Sequence, residues 1–208
     1  MRIEKLEITN FRGIERLEMQ QLKDCVVIAG QNGAGKSCIF DAIRLLKSYY
    51  GMYFTGELNS WFNEFGIDFQ RNPAKTSMIL RDKGQPATIR CEFSFSASEK
   101  TYIKEHASPY YNPNIISSAI ATQSSGGYAT SGSSSFILSA QPAAGQKLKV
   151  LQHEIELDRV VGELSFNSEW KLVSTKPSPL LEFIFSHYIV PHIGVIDYHS
   201  AHRNYSRE

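Results

Sequence analysis

The chain has 208 residues, a formal net charge of +1 and an apolar fraction of 42%. This is the profile of a soluble globular chain with one good-sized core, and its mixed charges leave any nucleic-acid or membrane surface to a local patch. The three cysteines, Cys25, Cys38 and Cys91, lack the paired spacing of a disulfide framework or zinc site, so a reducing, cytoplasmic setting is expected.

In "RIEKLEITN" the apolar Ile3, Leu6 and Ile8 fall among charged residues in a mostly alternating pattern, and "ERLEM" repeats it. Two half-buried strands joined around "NFRGI", with Gly13 in the turn, are predicted. No secretory signal is read there, because charges run throughout and no apolar core is continuous. "CVVIA", Cys25 to Ala29, is a short apolar run bounded by glycine, the pattern of a strand covered on both faces.

From Lys36 onward, Ile39, Phe40, Ile43, Leu45 and Leu46 recur at helical spacing, with Asp41, Arg44 and Lys47 between them. An amphipathic helix ending before Gly51 follows. Residues 51 to 85 show no sustained period and receive no assignment. "ATIRCEFSFS" alternates strictly from Ala87 to Phe95, a strand signal.

Ser117 to Ser135 is dominated by serine, glycine and small residues, so a mobile insertion is expected there. "KLKVLQHEIELD", "VVGELSF" and "EWKLVST" read as a strand series in an antiparallel meander. Pro179 behind Ser178 opens a helix bearing Leu180, Leu181, Ile184, Phe185 and Tyr188. "HIGVID" is a further short buried strand. The apolar stretch from Leu180 to Ile196 is interrupted by Glu182, His187 and Pro191 and is too short for a comfortable membrane span.

The chemistry is concentrated between the predicted strand at Cys25 and the helix at Lys36. Gly30, Gln31, Asn32, Gly33, Ala34, Gly35, Lys36 and Ser37 satisfy the Walker A pattern G-x-x-x-x-G-K-[ST]. A phosphate chain is wrapped by successive backbone N–H groups, which side chains would obstruct, so the loop needs glycine at its tightest points. The following helix offers unpaired N–H groups and its positive dipole end. Lys36 is expected on the β- and γ-phosphates and the Ser37 hydroxyl on Mg²⁺. Cys38 at the head of the helix completes the expected nucleotide-binding set.

"LEITNFRGI" followed by "IAGQNGAGKSCIFDAI" resembles the N-terminus of the ABC-type ATPases of the SMC, RecF and overcoming-lysogenization-defect (OLD) group, mainly over residues 1 to 47. The resemblance implies an α/β P-loop NTPase lobe with an antiparallel β subdomain. It also implies ATP and Mg²⁺ as cofactors, Arg12 near the nucleotide and Asn32 toward the γ-phosphate. A second ATPase head would be the partner, in an ATP-driven dimer acting on DNA in repair or anti-phage defence.

The family's magnesium-sensing glutamine has no clear counterpart. Asp197, Tyr198 and His199 stand in its place at "HIGVID"; by the resemblance Arg203 corresponds to an arginine that follows a variable loop in relatives, and Gln141 is a weaker candidate. "VIDYH" imitates a Walker B strand, but Tyr198 stands where the glutamate belongs. "SSGGY", Ser124 to Tyr128, superficially resembles the ABC signature, although "ATSGSSS" after it is no helix former. His199 and His202 are spaced i, i+3 without a third nearby ligand. Residues 1 to 208 therefore read as one lobe, the N-terminal part of a longer ATPase, binding ATP with little hydrolysis alone and with catalytic residues unassigned. The rival reading is a regulatory nucleotide-sensing module controlling a separate effector such as a nuclease or toxin. A small-molecule kinase would need a lid and acceptor site that the sequence does not show.

Overall fold

The computed structural model describes residues 1–23, 25–51, 57–67, 75, 78–111 and 144–186. The Ser117–Ser135 insertion, Gln141, the "HIGVID" strand, Asp197, Tyr198, His199, His202 and Arg203 all lie outside them.

The predicted hairpin forms from β1 (Arg2–Phe11) and β2 (Ile14–Gln20), with Phe11 paired to Ile14 across the turn. β3 (Ala87–Ser94), whose strict alternation buries Ala87, Ile89, Cys91 and Phe93, pairs with the other side of β1. β4 (Val160–Phe166) and β5 (Leu172–Thr175) complete a five-stranded antiparallel sheet of order β2-β1-β3-β4-β5. The resemblance led to an α/β lobe with an antiparallel β subdomain, and the sheet with its helices is consistent with that class.

Because side chains alternate across a strand, the sheet has one greasy and one charged face. Leu6, Ile8, Ile89, Cys91 and Leu164 are buried on the first. The second carries the row Glu18, Glu7, Arg90 and Glu163, set opposite one another by register. Lys5 lies 3.0 Å from Glu7 and 2.9 Å from Glu18, and Arg90 pairs with Glu7 and with Glu92 at 2.9 Å. Directly opposed glutamates would repel, and the interleaved cations cancel that repulsion.

The helices are α1 (Lys36–Gly51), α2 (Glu57–Glu64), α3 (Ala97–Tyr110), α4 (Ala144–Glu156) and α5 (Pro179–Ser186). α1 and α5 approach the sheet over Gly162, where an added Cβ would lie 3.0 Å from Leu181 and 3.3 Å from Leu46 and Tyr50. The Ser186 hydroxyl donates to the Gly51 carbonyl at 2.6 Å, tying the far ends of the two helices. Ser96 and Glu99 form a capping box at the start of α3, the Ser96 N–H reaching Glu99 at 2.9 Å.

Three expectations are corrected. Residues Lys147 to Glu156 are helical: Leu148, Leu151 and Ile155 follow a period near 3.6 and face the core, while Val150 is 44% exposed. Cys25 to Ala29 is not a strand, and Val27 is 85% exposed. A strand covered on both faces needs neighbours on both edges, and no described strand pairs with this segment. Asp41 is buried within α1 rather than lying on its solvent face.

Candidate functional site

After β2 the described residues 21–23 and 25–31 carry no regular structure; the chain then turns at Asn32 and Gly33 and enters α1 at Lys36. Gly33 and Gly35 hold φ of +84° and +83°, a region that side-chain-bearing residues enter only with strain. Gly33 has open space around it, so backbone conformation alone requires glycine there. At Gly35 too the positive φ is what requires glycine, since an added Cβ would sit 3.7 Å from the Gly13 carbonyl oxygen, an ordinary van der Waals contact. The Ala34 N–H donates to the Gln31 carbonyl at 3.2 Å, and the Cys38 N–H to that of Gly35 at 3.0 Å.

The Lys36 ammonium donates to the carbonyls of Gly30 and Gln31, both at 2.6 Å. The cation thus spans the loop, with exposed Gly30, Gln31, Asn32, Gly33 and Ala34 around it. No acidic side chain stands in the first turn of α1, so no carboxylate of that turn competes for the helix N-terminus. The Ser37 hydroxyl is at an exposed position and Cys38 is half-buried. This arrangement offers main-chain donors, one ammonium and one hydroxyl to an anion.

Arg12, expected near the nucleotide, has φ of +49°. Its guanidinium pairs with Asp41 and lies 4.1 Å over the Phe65 ring. Arg44 meets Asp41 at 3.9 Å and forks onto Glu64 at 2.9 and 2.8 Å. Burial raises the Asp41 carboxyl pKa; the Arg12 and Arg44 charges oppose this without reversing it. Behind this cluster Phe11 packs between Trp61 and Trp170, at ring separations of 6.3 and 6.0 Å.

Asp41, Phe65 and the Arg44–Glu64 fork are site neighbours that sequence reasoning missed. The available signal for Asp41 was its place two residues after Ile39 and next to Ala42, both core positions. Phe65 belongs to a stretch without readable period. A separate groove of about 480 Å³ is lined by Ile3, Leu6, Met19, Val26, Ile28 and Phe40 among others. No residue of the loop from Gly30 to Ser37 borders it, and its walls are mainly apolar, with Arg2 and Lys23 the charged residues among them. Among the described residues no cluster of histidine, cysteine and carboxylate side chains could hold a metal by itself. None of their helices is long and apolar enough to cross a membrane.

Residues 1–170 match the sequence model of a family described as AAA ATPase domain. Over 43 residues the chain is 54% identical to a protein named DNA double-strand break repair Rad50 ATPase, from Saccharolobus solfataricus. That stretch is 21% of this chain and 5% of the relative. It is 46% identical over 46 residues to an uncharacterized protein, MJECL10, of Methanocaldococcus jannaschii, covering 22% of this chain and 21% of the relative. The match therefore spans a small part of either relative. No solved structure matches the chain.

Proposed function

The chain belongs to the AAA ATPase domain family, and from that premise we propose that its loop from Gly30 to Cys38 binds the phosphates of ATP with Mg²⁺. In this reading it is the nucleotide-binding lobe of an ATPase of the SMC/Rad50 kind. The observation that carries it is the junction itself: a loop turned twice through positive φ at Gly33 and Gly35, delivering Lys36 and Ser37 to the open N-terminus of α1. A merely connecting turn would not need both glycines.

The residues fit the ligand. ATP would supply a polyanion, and Mg²⁺ would offset the charge of its phosphates. The Ser37 hydroxyl would hold Mg²⁺ as an oxygen ligand, the donor type this ion favours. Lys36 exchanges its bonds to the Gly30 and Gln31 carbonyls for bonds to phosphate. Arg12 is held by Asp41 and the Phe65 ring, and to reach bound phosphate it would have to exchange that buried carboxylate for phosphate oxygens.

Joining of two such heads around nucleotide, and DNA as the object of the motor, are part of the proposal. Their support is the likeness to a relative whose name includes DNA double-strand break repair, an associational warrant. Calorimetric titration with ATP and Mg²⁺ tests the core claim. Lys36→Ala is expected to weaken binding at least about tenfold, the scale of lost charge-assisted hydrogen bonds. Equal affinity in both proteins would remove the assigned anion site. Sedimentation with and without ATP tests head pairing, and ATP binding without turnover in any longer chain would favour the nucleotide-sensing module.

A further inference from the structure

The turn from Asn10 to Gly13 is fastened on one side to residues 79–85. Arg12 N–H donates to the Ile79 carbonyl at 2.6 Å and Arg81 N–H to that of Asn10 at 3.4 Å. The Asn10 amide reaches the carbonyls of Asp82 and Gln85 at 2.9 and 2.8 Å. Its other side lies against the phosphate loop. A Cβ built on Gly13 would be 3.6 Å from the Gly35 Cα and 3.5 Å from the Cys38 sulfur.

The Gly13 carbonyl is where the two sides meet. Its oxygen is 3.7 Å from a Cβ position at Gly35, and it accepts a hydrogen bond from the Arg81 guanidinium at 2.9 Å. A loop that binds phosphate works by keeping its N–H donors unspent, and a neighbouring carbonyl with idle lone pairs competes for them while repelling the anion. A guanidinium on that carbonyl occupies it and offsets its partial charge. Fold stability gives Arg81 little other reason to be there. Its side chain is 47% exposed, and its carboxylate neighbour Glu15, 3.9 Å away, is 85% exposed, a pairing worth little.

We propose that Arg81 is a positioning residue for the phosphate loop, holding the Gly13 carbonyl so that the loop's N–H groups stay open to phosphate. The inference rests on the nucleotide-binding reading above. Calorimetric titration of the full chain with ATP and Mg²⁺ tests it, alongside the melting temperature without nucleotide. Arg81→Met is expected to lower ATP affinity about tenfold, the scale of one charge-assisted hydrogen bond, with an unchanged melting temperature. Arg81→Lys, which keeps a charged donor, is expected to recover most of the affinity. Unchanged affinity in Arg81→Met overturns the proposal. If Arg81→Met melts early, Arg81→Lys decides: recovered affinity supports positioning, and a loss equal to that of methionine overturns it. A wild-type chain that binds no ATP overturns the nucleotide reading and this inference together, whereas wild-type binding with indifferent Arg81 variants overturns this one alone.

Discussion

Gly35 shows how much a single position can demand, because its positive φ disfavours any side chain although an added Cβ would meet Gly13 only at ordinary contact distance. Gly35→Ala is expected to cost about 1 to 3 kcal/mol of stability, read by chemical denaturation, and to weaken ATP binding beyond that loss. Glu154 gives a pH signature. Its carboxylate accepts the Leu180 N–H at 3.0 Å at the start of α5, and burial raises its pKa. Ionisation therefore opposes folding: the penalty is absent below the unfolded pKa, grows as pH rises toward the folded value and is complete above it. Glu154→Gln keeps an acceptor without the charge. Its stability relative to wild type is expected to improve from acid to neutral pH, as followed by denaturation at several pH values. The Walker A pattern from Gly30 to Ser37 was legible in the sequence because it fixes residue type at fixed spacing, and the fold sets it between β2 and the first turn of α1. Asp41 was not, because a carboxylate between core positions is ordinarily solvated, and only the fold brings Arg12 and Arg44 to it.

Elements were legible where one period dominated. β3 and β4 alternate cleanly, β1 does so apart from an irregularity between Ile3 and Lys5, and α1 keeps its apolar residues at helical spacing from Ile39 to Leu46. α4 was misread because "KLKVLQHEIE" satisfies both periods locally: Leu148 and Val150 alternate with lysines, yet Leu148, Leu151 and Ile155 form the buried stripe. Val150→Pro separates the two structures. At this exposed mid-helix position it is expected to cost about 3 kcal/mol, measured by thermal or chemical unfolding, whereas an edge strand would tolerate it better. α2 follows no sustained pattern, and its place depends on Trp61 packing among Phe11, Phe62 and Phe65. The capping box of α3, Ser96 with Glu99, was present in the sequence as a start signal and went unused.

Taken as a whole, the molecule is a sheet with helices on its greasy face and a self-neutralising charge row on the other. Lys5, Arg90 and Arg159 are matched there by Glu7, Glu18 and Glu92, so this face makes no basic track for a phosphate backbone. Any DNA contact would have to come from another surface. Arg90→Met would leave Glu7, Glu92 and Glu163 with less compensation. It is expected to lower the melting temperature most at low ionic strength, with part of the loss recovered at high salt. Composition reported none of this, since balanced charges look the same whether scattered or laced into one row.

The chain's two tryptophans, Trp61 and Trp170, both pack against Phe11, the residue immediately before Arg12. Both indoles are buried with no hydrogen-bond acceptor among the described residues, so their ultraviolet emission should be blue-shifted and responsive to small displacements of that turn. A label-free optical signal is therefore built in beside the arginine, and rapid mixing with ATP would test the proposed turn of Arg12 toward phosphate.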